Sequence, residues 1–284
     1  MCLPECMVQL ADKASRRSFL RKLGVAAAGA AIAPAAIGTR TIRADEAPRE
    51  PPRFSFQRVV DLTHTLHAKF PFPMEHAFSM DRISSRPKDM WNIYRWHFHE
   101  HIGTHIDAPF HCSDRDTVDQ IPADKLFGPL AVIDIRHRVA SDPDTRLTPD
   151  DLKTWEAAHG PIPNGAIVAM CSGWDAKVGD ADQFFGRDSK GGFHMPGFHL
   201  EAVQFLHEER NVHGIAVDTI SLDPGNTGDF PVHHYWLGQN RWGLENVANL
   251  GQLPASGATI VVGGPKVAGG SGGPSRVLAL LDHA

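Results

Sequence analysis

Between Arg95 and His111 the chain places five histidines and two acidic residues. His97, His99 and His101 alternate, so an extended strand would turn all three to one face. His105 and Asp107 alternate in the same way, after a bend that Gly103 permits because it lacks a Cβ. Two imidazoles and a carboxylate, from His101, His105 and Asp107, are thereby brought together on neighbouring backbone. That donor set suits a borderline or hard divalent ion, Zn2+ or Mn2+, with positions left open for water. An ion so held lowers the pKa of a water and polarises a carbonyl oxygen, which is hydrolytic chemistry. Pro109 stiffens the exit from the cluster and keeps His111 nearby without making it an obvious ligand. Taken singly, each histidine reads as structural or exposed, and that reading is kept for His97 and His99. Asp107 alone could be a turn residue bonding its own backbone. It is the density of the cluster, braced by Gly and Pro, that marks a site.

The elements that must position these groups belong to an ordinary globular chain of 284 residues, 42% hydrophobic and 21% charged. A net charge of -5 argues against a nucleic-acid partner, which usually demands a basic face. The counts of 17 His, 26 Gly and 21 Pro point to metal or proton chemistry on a loop-rich fold with few long helices. Strands are expected at Val59–Leu62, Gly128–Ile135, Ala166–Met170, Gly214–Val217 and Thr259–Val262, from apolar runs rich in branched residues. Helices are expected from Thr148, as N-cap before Pro149, to Ala158, and from Leu200 to Glu209. Alternating helices and strands with no composition break imply a single mixed α/β domain.

Ahead of that domain, Ser15-Arg16-Arg17-Ser18-Phe19-Leu20-Arg21 precedes a small-residue apolar stretch from Leu23 to Ile37. The pattern resembles a twin-arginine export signal, with Arg21 where lysine is usual. The apolar run is short and Ala/Gly-rich for a membrane span, the alternative being an anchor or uncleaved tether. Residues 1–45 are therefore assigned to a leader, 46–54 to a linker and 55–284 to the functional domain. Cleavage fits after either Ala35 or Ala44. Such a signal implies the twin-arginine machinery as a partner and a periplasmic or extracellular location. Cys2 and Cys6 fall in the leader, leaving Cys112 and Cys171 as buried small residues or as one bridge.

His101-Ile102-Gly103-Thr104-His105-Ile106-Asp107-Ala108-Pro109-Phe110-His111 matches the HxGTHxDxPxH signature of the cyclase family of metal-dependent hydrolases. Bacterial-type kynurenine formamidases and isatin hydrolase belong to this family. The resemblance extends from Asp61-Leu62-Thr63-His64 to near the C-terminus. It includes Gly214 to Pro224 as a central strand and its loop, and His233 with Glu245 twelve residues later. The resemblance implies a swivelling β/α/β fold and His101, His105 and Asp107 as ligands of a first ion. It further implies a second ion held by His233 and Glu245 with Asp107 bridging, His111 as acid/base, and a homo-oligomer. His234, beside His233, leaves that assignment open to the neighbour, with spacing favouring His233. One Mn2+ or two Zn2+ fit equally. Read without the resemblance, Glu245 is an exposed acid at a helix start.

The expected activity is hydrolysis of a small amide, lactam, imide or formamide by water, with His111 passing a proton to the leaving nitrogen. Ser172 and Ser221 lack nucleophile-elbow context and Cys171 lacks a charged partner, so covalent catalysis is set aside. Trp174, which follows Ser172-Gly173 where the family has pocket-lining residues, and Phe72 are the candidate substrate wall; Trp91 and Trp96 are weaker candidates. His194 faces cleft or solvent, and His199 solvent or a subunit. Gly263 to Pro274 reads as a pocket loop or an intersubunit arm. An export signal is unexpected for a cytoplasmic tryptophan-degrading arylformamidase, which places that activity behind a broader cyclic-amide hydrolase; the reverse cyclisation would use the same ligands. Two rival classes remain. A non-haem Fe(II) oxygenase would use His105, Asp107 and His233 but requires an all-β double sheet. An exported metal-binding protein would not need His111.

Overall fold

The computed structural model describes residues 56–282. The expected export signal within residues 1–45 and the expected linker at 46–54 lie outside them. Nine strands form the main sheet, and their order explains where the site must lie. β1 (Arg58–Asp61) pairs with β13 (Arg276–Leu281), then follow β11 (Ala258–Gly263), β5 (Phe127–Asp134), β7 (Ile167–Cys171), β9 (Gly214–Val217), β10 (Trp242–Glu245), β4 (His105–Asp107) and β12 (Gly272–Pro274). The central four, β5, β7, β9 and β10, run parallel. Their flanking partners run antiparallel. Where β10 meets β4 the direction reverses, and the antiparallel register brings the carboxyl end of β10 beside the start of β4.

Alternation along the central strands divides the core. Leu130, Val132, Ile167 and Ala169 join Val60, Ile106, Leu244, Ile260, Val277 and Ala279 on one face. Because this set draws on both ends of the strand order, the sheet is curled around it. Ala131, Ile133, Val168, Met170, Ile215 and Val217 fill the other face. Helices α2 (Pro149–His159), α4 (Leu200–Arg210) and α5 (Pro231–Gly238) cover that second face. Helix α2 starts as its sequence requires: Pro149 occupies the first turn and the Asp151 carboxylate accepts the Thr148 N–H at 2.8 Å. Two shorter helices, α1 (Arg136–Val139) and α3 (Ala181–Phe185), and a two-strand pair, β6 (Arg146–Leu147) with β8 (Gly197–Phe198), complete the frame. The fold is the mixed α/β single domain expected, so the all-β double sheet that the oxygenase reading requires is not met. Among the described residues no helix is long and apolar enough to cross a membrane.

Four expectations are corrected. The strand meant to carry His97, His99 and His101 on one face is β3 (Ile93–Phe98), and it ends before His99. Among the described residues it pairs only with β2 (Phe78–Ser84), and His97 serves that hairpin by bonding Asp81 at 2.8 Å. Trp91 and Trp96 are exposed on the same hairpin and its turn, away from the histidine cluster's cavity. Glu245, read in isolation as an exposed helix-start acid, instead closes β10 and is buried. The Gly263–Pro274 stretch ends in an edge strand, β12, laid against β4.

Candidate metal centre

The site is built from three remote pieces of chain. β4 is three residues long, and its alternation sends Ile106 into the core while His105 and Asp107 share the opposite face. Gly103 adopts a φ of 67°, the left-handed turn that feeds this strand. Antiparallel register sets Glu245 of β10 directly across from His105, so the two side chains emerge side by side. His233 arrives from the first turn of α5. Its direction is fixed by Asp223 in the loop after β9: the buried carboxylate accepts the backbone N–H groups of Val232 and His233 and also His233 Nδ1–H, at 2.8, 3.0 and 2.6 Å. A carboxylate on those N–H groups also complements the positive end of the helix.

These placements make six side chains converge. His105 Nε2 lies 3.3 Å from Asp107 Oδ1 and 3.4 Å from Glu245 Oε2. His233 Nε2 lies 3.0 Å from Glu245 Oε1 and 3.6 Å from Asp107 Oδ2. His101 Nδ1 is 2.6 Å from Asp107 Oδ1, and the His101 and His111 rings are 3.9 Å apart. His105 gives its Nδ1–H to the Gly103 carbonyl at 2.8 Å, as His233 does to Asp223, so both rings turn Nε2 inward. The burial is close to complete for His105, Asp107, His233 and Glu245. Two buried carboxylates demand nearby positive charge. Burial opposes protonation of His105, yet Asp107 and Glu245 outweigh it and push its pKa up to about 10. Burial likewise opposes ionisation of Asp107, but His105 and hydrogen bonds from the imidazoles hold it well below the usual carboxylate range. Burial lowers His111, with Asp107 partly offsetting it.

The residues fit a divalent cation. His105 Nε2 and Asp107 Oδ2 are buried without a hydrogen-bond partner, which is costly unless a further group joins them. His105, Asp107 and Glu245 offer donor atoms within 4.8 Å of one another, as do His101, Asp107 and His111. All of His101, His105, Asp107, His111, His233 and Glu245 are thus in one place. The grouping differs from the expectation, since Glu245 touches His105 as well as His233, and His111 stands close against His101. His234 is exposed, which resolves the choice between the neighbours geometrically.

A cavity of about 810 Å3 opens beside the cluster, reaching His111, His233 and Glu245 and walled by Phe193, Met195, Ile220 and Phe230. Trp174 and Phe72 are not on this wall. Trp174 is 1% exposed, packed with Phe184 and Met195 and donating its indole N–H to the Phe184 carbonyl, so burial has claimed it for the core. Phe72 stacks on His99 at 4.9 Å between ring centroids, in a separate cleft. Cys171 is buried as expected, whereas Cys112 is half-buried and lines the cavity; both thiols are free. His194 also reaches the cavity while bonding Asp144 at 2.7 Å. Sequence reasoning missed Asp223 and the four wall residues. An acid in the loop ahead of a helix-borne histidine was the only available signal.

The family model described as "Putative cyclase" matches residues 60–224. An isatin hydrolase of Roseibium aggregatum is 39% identical over 195 residues, 65% of this chain and 73% of that protein. A kynurenine formamidase of Salinibacter ruber is 25% identical over 198 residues, 63% of this chain and 74% of that protein. Among solved structures, isatin hydrolase A from Labrenzia aggregata, bound to benzyl benzoate, superposes with a TM-score of 0.74 at 36% identity, covering 80% of this chain and 94% of that one.

Proposed function

We propose, from the premise that the chain belongs to the cyclase family, that it is a metal-dependent hydrolase opening small cyclic amides of the isatin type. The observation that carries this reading is the apolar, partly aromatic cavity meeting a buried His/Asp/Glu cluster at His111, His233 and Glu245. His101, His105, Asp107, His233 and Glu245 are the residues that would hold a divalent ion, Zn2+ or Mn2+. When bound, the ion supplies Lewis-acid polarisation of a carbonyl and lowers the pKa of a water. The chain supplies the rest. Phe193, Ile220 and Phe230 hold a flat ring and exclude bulk water from the carbonyl. Asp223 and Gly103 lock the imidazoles of His233 and His105 so that no reorganisation is needed during the reaction. His111, on the cavity side of the cluster, takes a proton from the attacking water and returns it to the lactam nitrogen as the C–N bond breaks. Water is added across that bond, and the ring opens to an amine and a carboxylic acid, which releases its proton to solvent.

The lactam is favoured over an aryl formamide because the likeness to the isatin hydrolases is the stronger one, at 39% against 25%. The test is a panel of lactams, imides and aryl formamides assayed with purified protein and with His105→Ala and His111→Ala. The expected result is preferential lactam opening, lost with bound metal in His105→Ala and lost with metal retained in His111→Ala. Faster turnover of aryl formamides would replace the lactam reading, and full activity in His111→Ala would remove the proton-transfer role. Export through the twin-arginine route is part of the proposal and rests on Arg16-Arg17 and the apolar run that follows. Retention of an Arg16→Lys, Arg17→Lys variant in the cytoplasm checks it, and unchanged export refutes it.

A further inference from the structure

His105 and His233 aim Nε2 at the centre, but His101 is held the other way round. Its Nε2 lies 3.0 Å from Ser271 Oγ, and Ser271 Oγ lies 2.5 Å from Glu100 Oε2. A serine hydroxyl has one proton, and an ionised carboxylate can only accept. The Ser271 proton therefore goes to Glu100, and the Ser271 oxygen accepts from His101 Nε2–H. With Nε2–H committed there, His101 turns its other ring nitrogen, Nδ1, towards Asp107 Oδ1, 2.6 Å away. In the metal-free cluster a proton lies between these two atoms, and a bound ion would take its place.

The backbone keeps this chain of bonds in register. Ser271 precedes β12, its carbonyl accepts the Ala108 N–H at 2.9 Å, and Gly272 pairs with Asp107 itself. A Cβ on Gly272 would stand 2.9 Å from His101 Cε1, so the ring lies directly against the strand that carries Ser271. Glu100 Oε2 also takes the Ser271 N–H at 3.3 Å.

We propose that Glu100 and Ser271 form a positioning pair that fixes the tautomer of His101 and so aims Nδ1 at the ion. The proposal rests on reading the cluster as a metal centre, and it gives the glycine-rich C-terminal stretch a function in that centre. Neither residue lines the cavity beside the cluster. Ser271→Ala removes the acceptor for Nε2–H. Glu100→Gln lets a side-chain amide donate to Ser271, freeing the hydroxyl to donate to His101 and reverse the tautomer. Ser271→Thr keeps the hydroxyl.

The experiment uses the full chain, freed of metal, with Co2+ as probe and both titration and the visible ligand-field spectrum as readouts. Each variant is compared at equal folded fraction, set by circular dichroism. Ser271→Ala and Glu100→Gln are expected to weaken Co2+ binding by about 10- to 100-fold, the usual effect of losing an outer-shell partner, and to alter the spectrum. Ser271→Thr is expected to restore most of both. His105→Ala serves as the ligand control and should lose the ion. Wild-type affinity and spectrum in Ser271→Ala and Glu100→Gln, with the ion lost in His105→Ala, overturns the positioning pair alone. Retention of Co2+ by His105→Ala overturns the metal centre itself.

Discussion

Replacing Asp223 should damage the fold and the site together, in proportions the geometry fixes. Its fully buried carboxylate serves three donors: the N–H groups of Val232 and His233 and the Nδ1–H of His233. Alanine leaves all three without an acceptor inside the protein. At about 1–3 kcal/mol for each buried donor left unsatisfied, with some rescue by entering water, the cost is about 3–6 kcal/mol. Since a domain is stable by only about 5–15 kcal/mol, Asp223→Ala should be close to unfolded at ambient temperature. Asparagine is the informative change. Its carbonyl oxygen can replace Oδ2, which serves both donors of His233, but its amide then faces the Val232 N–H. One bond is lost, so Asp223→Asn should cost about 1–3 kcal/mol and remain folded. Its neutral oxygen holds the His233 ring less firmly, and metal affinity should fall by about 10- to 100-fold. Urea unfolding of the metal-free protein gives the first quantity and Zn2+ titration against a chromophoric chelator gives the second. Wild-type stability and affinity in Asp223→Asn would refute the account of how α5 presents His233.

Three further outcomes follow from other parts of the structure. Asp218, buried at the end of β9, has its pKa pushed up to about 7 by burial, although Ser172 Oγ and the N–H groups of Ser172, Gly173 and Trp174 all donate to it. Between the unfolded value near 4 and about 7 the folded state binds the extra proton, so this group makes stability fall as pH rises through that window and then level off. Asp218→Asn copies the protonated acid, its amide donating to Ser172 Oγ, and should flatten the difference in unfolding midpoint between pH 5 and pH 8; an unchanged pH profile would contradict this. A Cβ on Gly214 would stand 2.4 Å from the Trp242 ring, so Gly214→Ala should cost about 1–3 kcal/mol through overpacking at the β9–β10 pair, read by urea unfolding, and an unaffected midpoint would dispute the register. Phe230 holds a φ of 46° at the cavity wall. Phe230→Gly should relieve about 1 kcal/mol of that strain while raising KM for an aromatic lactam several-fold, and an unchanged KM would remove Phe230 from the binding wall.

Much of this arrangement was legible in the chain itself, for physical reasons that differ residue by residue. The buried strands β5, β7 and β9 announce themselves as branched apolar runs, and α2 announces itself through Thr148 and Pro149. His101, His105 and Asp107 are legible because they are adjacent in sequence. Glu245 is not, because nothing local distinguishes a strand-end acid from a helix-start acid; only its pairing opposite His105 does. Asp223 and Ser271 are hidden for the same reason, being defined by partners 10 and 170 residues away. Trp174 misleads because a large aromatic near a pocket-lining motif can equally be absorbed by the core, and its indole N–H finds a carbonyl there. The cavity wall could not be read from composition at all, since Phe193 and Phe230 sit on loops whose course is set by distant strands.

Anomalous diffraction from crystals of the metal-loaded chain, recorded on both sides of the Zn and Mn absorption edges, tests the central claim most directly. The account predicts a peak enclosed by His101 Nδ1, His105 Nε2, Asp107, His233 Nε2 and Glu245, absent from His105→Ala crystals. A chain that opens lactams at full rate with no peak among those atoms, or with its metal bound elsewhere, would contradict it.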